Sequence, residues 1–387
     1  MLDIELQTIS SGYDRKTCWV HPRPGLVPGN PVKVVVTMSR MSLAQGKNDV
    51  YYSLHEMRTD DGGKTWSGPV EHVDTLGRRT LEDGTEEAIC DFWPMRHAKT
   101  GSLLGTGHSA IYVSETDDQP ENLAERSTAY SVYDLESRTW MPWKKLQMPD
   151  DAKFSNEGAG STQRVDLPNG EILLPTYCVV PGSAKGVFDR LEVSTVLRCG
   201  FDGETLTYIE HGDEFTVPTG RGFSEPSVAV FQGRYYLALR NDDYGAVTSG
   251  EDGLHFDEPK LWTFDDGSDL GNYNTQQHWV NMPNALYLVY NRRGANNDHV
   301  CRHRAPLFIA QVDTDRLCVI RDTEQILVPE RGARLGNFGV VQISENESWV
   351  TVAEWMQTIA PDPWDFRVCE KYGSDNSVFV AKIRFRS

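Results

Sequence analysis

The chain has 387 residues, a formal net charge of −18 and 39% hydrophobic residues. That charge argues against nucleic acid and anionic membranes as partners, and an anionic substrate would need a local cluster of Arg or Lys. No apolar run reaches the ~18 residues of a membrane helix, and no HExxH, CxxC or EF-hand pattern is present, so neither a metal nor a cofactor is expected.

The start, Met1-Leu2-Asp3-Ile4-Glu5, lacks the basic and apolar regions of a secretory signal. The cysteines, Cys18, Cys90, Cys178, Cys199, Cys301, Cys318 and Cys369, are odd in number and scattered. They read as free thiols in a reducing compartment, so a cytoplasmic location is expected. The length would suit two or three average domains, but an all-β repeat fold can absorb it whole. No Pro-rich linker divides the chain, and 1–387 is read as a single domain.

In chain order, short apolar runs alternate with turn signals, and no long amphipathic helix stands out. The first unit, 17–70, opens on His21-Pro22-Arg23-Pro24-Gly25, runs through apolar 32–38 to Arg40, and passes Asp49 before Tyr51-Tyr52. It ends on Thr59-Asp60-Asp61-Gly62-Gly63-Lys64-Thr65-Trp66, which fits the Asp-box pattern Ser/Thr-x-Asp-x-Gly-x-Thr-Trp. There Gly62 and Gly63 allow positive φ, the Asp61 carboxylate accepts backbone N–H groups of the turn, and Trp66 folds back as an apolar plug. The second unit, 88–145, sets His97 and His108 on either side of the turn Lys99-Thr100-Gly101. The third, 155–212, is a strand, a turn at Asn169-Gly170 and a second strand that leads to Tyr177.

The fourth unit, 222–262, places Glu225-Pro226 before one strand and Arg240 at the end of the next. It also carries a degenerate box at 249–256, with Glu251 where the Asp should be and Phe256 where the Trp should be. The fifth, 277–325, holds Arg302-His303-Arg304, and the sixth, 336–386, runs from Gly336-Asn337-Phe338-Gly339 to Ala353-Glu354-Trp355. A repeat of roughly 60 residues gives about six units, inside the propeller range of four to eight blades. The expected fold class is all-β, a six-bladed β-propeller with seven blades as the alternative, the two termini sharing one blade. Polar residues at the ends of the inner strands would then meet at the axis.

At these residues the chain resembles the sialidase superfamily, over its whole length and in the family's order. The resemblance implies a sialidase-type propeller in which Arg23, Arg240 and Arg304 form a triad that grips one carboxylate through charge-assisted, partly bidentate contacts. It implies Asp49 as proton donor and Glu225 as the group that activates the nucleophile. Where the family has its nucleophilic Tyr this chain has Phe338, which cannot attack an anomeric carbon. Arg40 joins the candidates for substrate binding, with Glu354 as a support for an arginine.

The expected partner is an acidic oligosaccharide or glycoside; the oligomeric state is left open. An exo-acting glycoside hydrolase on a sialic- or uronic-acid-type sugar is the leading reading, with Asp49 and Glu225 as acid and base of an inverting hydrolysis. Elimination next to a uronate is the alternative chemistry, served by His97, His108 and Tyr177. A glycan-binding propeller without turnover is the contrasting class.

Overall fold

The computed structural model describes residues 2–45, 49–113, 126–186 and 189–385. Six antiparallel sheets form, each a meander of chain neighbours except that blade 6 takes its outermost strand from the start of the sequence, and together they make a six-bladed β-propeller. Blade 1 contains Thr17–Val27, Lys33–Ser42, Tyr51–Thr59 and Ser67–Glu71. Blade 2 is built on Glu86–Arg96, Leu103–Tyr112 and Thr128–Asp134, and blade 4 on Ser224–Phe231, Arg234–Arg240 and Gly245–Gly250. In blade 3 the innermost strand is broken into Glu157–Gly158 and Val165–Asp166, both paired with Ile172–Val179. Blade 5 starts at His278–Met282 and blade 6 at Gly339–Ser344.

The ring closes as the sequence predicts. Leu2–Ser10 is the outermost strand of blade 6, running antiparallel to Val378–Phe385 from Leu2 opposite Phe385 to Ser10 opposite Val378. The blade limits read from the sequence lie close to those observed. Among the described residues α-helix is confined to Val73–Leu76 and Phe366–Lys371.

The core is distributed, with at least one apolar cluster in each wedge between neighbouring blades. Side-chain alternation along the strands fills both wedges at once. On Lys33–Ser42, Val34, Val36 and Met38 pack toward blade 6, while Val35 packs toward blade 2. On Arg234–Arg240, Tyr236 and Ala238 face blade 5, and Leu237 and Leu239 face blade 3. Strands buried on both faces read as unbroken apolar runs, which is why period-two alternation is faint in this sequence.

Between the third and fourth strands of several blades an Asp side chain ties the turn. Asp61 accepts from the N–H groups of Lys64 and Thr65, both at 3.0 Å, and from the Thr65 hydroxyl at 2.7 Å. Asp134, Asp202 and Asp313 accept two backbone N–H groups each in the corresponding turns. In the turn 249–256 the accepting carboxylate belongs to Asp252, at 2.9 and 2.8 Å from the Leu254 and His255 nitrogens, and not to Glu251. Gly63, at φ 77°, seats the first turn against blade 6: a Cβ there would lie 2.9 Å from the Trp349 ring.

Candidate functional site

In five blades a non-glycine residue in the inner strand or on the segment beside it lies in the left-handed region near the axis. These are His21 (φ 53°), Asp91 (51°), Ser161 (59°), Glu225 (45°) and Asn337 (65°). In blades 1, 2 and 4 the residue sits at a break in register, between Val20 and Arg23, Cys90 and Trp93, and Ser224 and Ser227. Such backbone costs of order 1–3 kcal/mol per residue and persists where the surroundings over-determine it. Here it turns one polar side chain per blade toward the centre.

Those side chains join into a floor. His21 Nδ1 lies 2.9 Å from Asp91 Oδ1, and the Ser161 hydroxyl donates to the same carboxylate. Beneath them Arg23 donates to Ser161 Oγ at 2.7 Å and lies 3.6 Å from Asp91. With the Gln276 amide assigned from its hydrogen-bond network, its nitrogen donates to Glu225 Oε2 at 3.1 Å and its oxygen accepts from the Asn337 N–H at 2.9 Å. Burial disfavours ionisation of Asp91, but His21, His108 and Arg23 outweigh it and hold the carboxyl well below the usual range.

Above the floor opens a polar pocket, part of it open to solvent. One wall is cationic. Arg240 forms an ion pair with Glu225 and donates to Asn274 Oδ1 at 2.5 Å. Arg304 donates from Nη1 to Asn337 Oδ1 at 3.0 Å and from Nε to the Asn274 carbonyl at 3.1 Å. Arg334 stacks with its guanidinium carbon 3.3 Å from the centroid of the Trp355 ring, and Arg302 completes the wall. Burial, then repulsion from Arg334, Arg302 and Arg240, pushes Arg304 well below the ordinary arginine range. Burial pushes Arg334 down to about 10.

In a six-membered ring blade 5 faces blade 2, so this wall looks across at Asp49, Asp91, His108 and Tyr177. Asp49 is held on a left-handed backbone (φ 53°) and accepts from the Tyr51 hydroxyl at 3.3 Å, and Tyr112 donates to its carbonyl at 2.7 Å. His108 packs against the bare backbone of Gly160, where a Cβ would lie 1.7 Å from Nδ1, and that nitrogen has no hydrogen-bond partner. Burial pushes His108 down to about 4, with Asp91 opposing and Arg126 reinforcing the shift, so the ring is neutral at neutral pH. The Tyr177 ring lies 4.6 Å beneath the Arg126 guanidinium, and burial keeps its hydroxyl protonated.

The structure thus brings together Asp49, Glu225, His108, Tyr177, Arg240 and Arg304. It does not bring the others. Arg23 is fully buried below the floor, bonded to Ser161, His278 and Asp91 and stacked 4.9 Å over Trp93, so Arg334 and not Arg23 is the third arginine beside Arg240 and Arg304. Arg40 points outward to Asp14 at 2.5 Å, over the Trp19 ring. His97 locks its own hairpin, with Nδ1 2.9 Å from Thr100 Oγ1 and Nε2 3.0 Å from the Gly170 carbonyl. Glu354 accepts from the Asp375 and Ser377 N–H groups at 3.0 and 3.1 Å and pairs with Arg331, which is not a pocket residue. Phe338 lies in the core between blades 5 and 6, edge-on to His278, and Asn337 is the residue that reaches the pocket.

Sequence reasoning missed Asp91, Arg126, Arg190, Glu192, Arg221 and Arg334, all of which line the pocket. One signal was available for Asp91. Cys90-Asp91-Phe92-Trp93 repeats the pattern of a polar residue two positions ahead of a paired inner strand, seen also at His21 and Glu225. The arginines lie on loops entering the strands and follow no spacing.

No family model and no curated protein matches the chain. Solved structures do. A protein of unknown function from Dyadobacter fermentans superposes with a TM-score of 0.62 at 16% identity, covering 98% of this chain and 99% of that one. The NanB sialidase of Streptococcus pneumoniae matches with a TM-score of 0.62 at 10% identity, over 97% of this chain and 70% of that one. Trypanosoma rangeli sialidase, in complex with the inhibitor DANA, matches at 0.59 and 11% identity, over 98% of this chain and 59% of that one. At these identities the likeness is one of fold: the chain has a sialidase-like six-bladed propeller.

Proposed function

We propose that this protein cleaves a glycosidic bond to a sugar that bears a carboxylate, as an exo-acting glycoside hydrolase. The observation that carries the reading is Arg304, buried to 3% exposure among Arg240, Arg302 and Arg334. Arg240, Arg304 and Arg334 are buried and Arg302 is exposed beside them; guanidiniums so crowded repel one another, and a planar anion relieves that repulsion while taking fork-shaped hydrogen bonds from several of them. A carboxylate on this wall lays the sugar ring over the floor, with the glycosidic bond toward Asp49.

In that pose Asp49 protonates the leaving oxygen, and Glu225 activates a water on the other face of the ring. The product inverts at the anomeric carbon if the two carboxyl groups stand about 6.5–9.5 Å apart around the substrate. Phe338 offers no nucleophile for the retaining route of the sialidase resemblance. A second reading, β-elimination next to a uronate, is favoured by the neutral His108 ring facing the same space as Tyr177. His108 would take the proton α to the carboxylate, and the arginines would hold the enolate charge.

A panel of acidic oligosaccharides, read by mass and by ultraviolet absorbance, tests both. Hydrolysis adds the mass of water and leaves the spectrum flat. Elimination adds no water and creates an absorbing unsaturated uronate. Retention of the glycans on immobilised protein without either product would leave a binding propeller.

A further inference from the structure

The pocket arginines form two groups on different walls, and the second group is not needed to grip one carboxylate. Arg126, Arg190 and Arg221 lie on segments leading into blades 2, 3 and 4, and all three line the pocket. Arg126 Nη2 lies 3.3 Å from Glu192 Oε1, and Arg190 donates to the same oxygen from Nε at 2.9 Å. Arg221 forms a two-pronged pair with Asp242, at 2.8 and 3.0 Å. The charged groups acting on Arg190 are Arg126, Glu192 and Arg221, whereas those on Arg304 are Arg334, Arg302, Arg240 and Glu225. The two clusters have different hydrogen-bond partners, Glu192 and Asp242 for one and Asn274 and Asn337 for the other, and they adjoin at Arg240 and Glu225, whose charges reach both.

A purely structural network would balance its charges. Here three guanidiniums form ion pairs with two carboxylates, and Asp242 is bonded by Arg221 while Arg240 also acts on it. The side chains of Arg126 and Arg190 are each 10% exposed, and both line the pocket. Glu192 is 1% exposed and lines the pocket between them; burial opposes its ionisation, but Arg190, Arg126, Arg221 and Arg240 hold it down at about 2. A fixed buried carboxylate that splays two guanidiniums toward a cavity prepares them for a ligand at little conformational cost.

We propose that Arg126, Arg190 and Arg221 form a second anion subsite, and that the substrate carries a second anionic group, a carboxylate or a sulfate ester, on the residue joined to the cleaved sugar. This rests on the reading of the Arg240, Arg304 and Arg334 wall as the carboxylate site. It makes the natural substrate a fragment of a polyanionic glycan rather than an acidic sugar capping a neutral chain.

The test is calorimetric binding to the protein of three anionic disaccharides, with a neutral disaccharide as the control: a hexuronic acid linked to a neutral hexose, the same sugar linked to a second hexuronic acid, and the same sugar linked to a hexose sulfate. Wild type is expected to bind one or both dianionic probes on the order of tenfold more tightly than the monoanionic one; the preferred probe identifies the group. Arg190→Gln and Arg126→Gln each bring that ratio close to one, whereas Arg304→Gln weakens all three probes and keeps the ratio. Thermal melts confirm that each variant is folded, and the wild-type ratio needs no variant at all. Equal affinities in wild type, or a ratio that survives both Arg190→Gln and Arg126→Gln, overturn the second subsite. Failure of the monoanionic probe to bind better than a neutral disaccharide instead overturns the first wall, on which the proposed function rests.

Discussion

His21 and Asp91 come from neighbouring blades and meet 2.9 Å apart, both on left-handed backbone and both out of water. Neither strain nor burial favours that meeting; the contact, with Ser161 and Arg23 around it, holds two strained strands in place. Asp91 therefore bears on the shape of the site and on its stability together.

Replacing it should show both effects. Asp91→Asn leaves Arg23 buried without its counter-charge, and is expected to cost about 3–5 kcal/mol in unfolding free energy along with turnover. In wild type the Asp91 carboxyl is depressed, so its contribution is complete above the unfolded carboxyl range and fades as pH falls below about 4. Urea unfolding from pH 7 to pH 3 should show that loss in wild type and a flatter profile in the variant. Parallel profiles would remove Asp91 from its central place.

The arginine wall predicts a loss of binding. Arg304→Ala or Arg240→Ala removes a buried charge-assisted contact and should cost about 2–5 kcal/mol of affinity for an acidic sugar. Arg40→Ala serves as the contrast, because that side chain lies outside the pocket on Asp14. It should change stability by less than about 1 kcal/mol and leave binding as it was. Wild-type affinity in both pocket variants would end the carboxylate-clamp reading.

His108 predicts a pH signature of opposite sense to that of a paired histidine. Its folded pKa, about 4, lies below the ordinary histidine value. Stability is then complete above about pH 6.5 and declines as pH falls toward 4, since the unfolded chain binds the proton more tightly. The decline attributable to this residue between pH 7 and pH 5 is about 2 kcal/mol. His108→Asn should lack that part of the pH dependence, measured by urea unfolding at the two values. Should the protein act by elimination, the same variant also loses turnover.

Phe338→Tyr should not restore a missing nucleophile. The ring is in the core between two blades, so the added hydroxyl would be buried without a partner, at a cost of about 1–3 kcal/mol. Thermal unfolding and a sialoside assay would check this; a gain of activity would place the ring in the pocket.

Most of the fold was legible because a propeller writes itself into the sequence locally. Each Asp turn is a matter of four or five residues, and each blade is a short meander whose strands pair with their chain neighbours. The site was legible only where a residue stood next to such a landmark. Glu225 and Arg240 flank one hairpin and were found; Arg304 closes a run of basic residues and was found. Arg126, Arg190 and Arg221 enter the pocket from separate loops, and only the closed ring brings them together. His97 misled because a histidine that locks its own turn looks in sequence like one that faces a ligand. Arg23 misled differently: its position in the chain is that of a pocket residue, but the bulge at His21 turns it down into the floor.

The strand 2–10 has a consequence for how the molecule is made. Its partner, Val378–Phe385, follows in the chain only after the other strands of all six blades. Pairing across almost the whole chain is slow to find, because so much intervening polypeptide must be ordered first. Until then blade 6 lacks its outer strand, and an open β-edge with apolar flanks is an invitation to neighbouring chains. The same clasp that seals the finished ring leaves strand 2–10 idle during synthesis until its distant partner has been made.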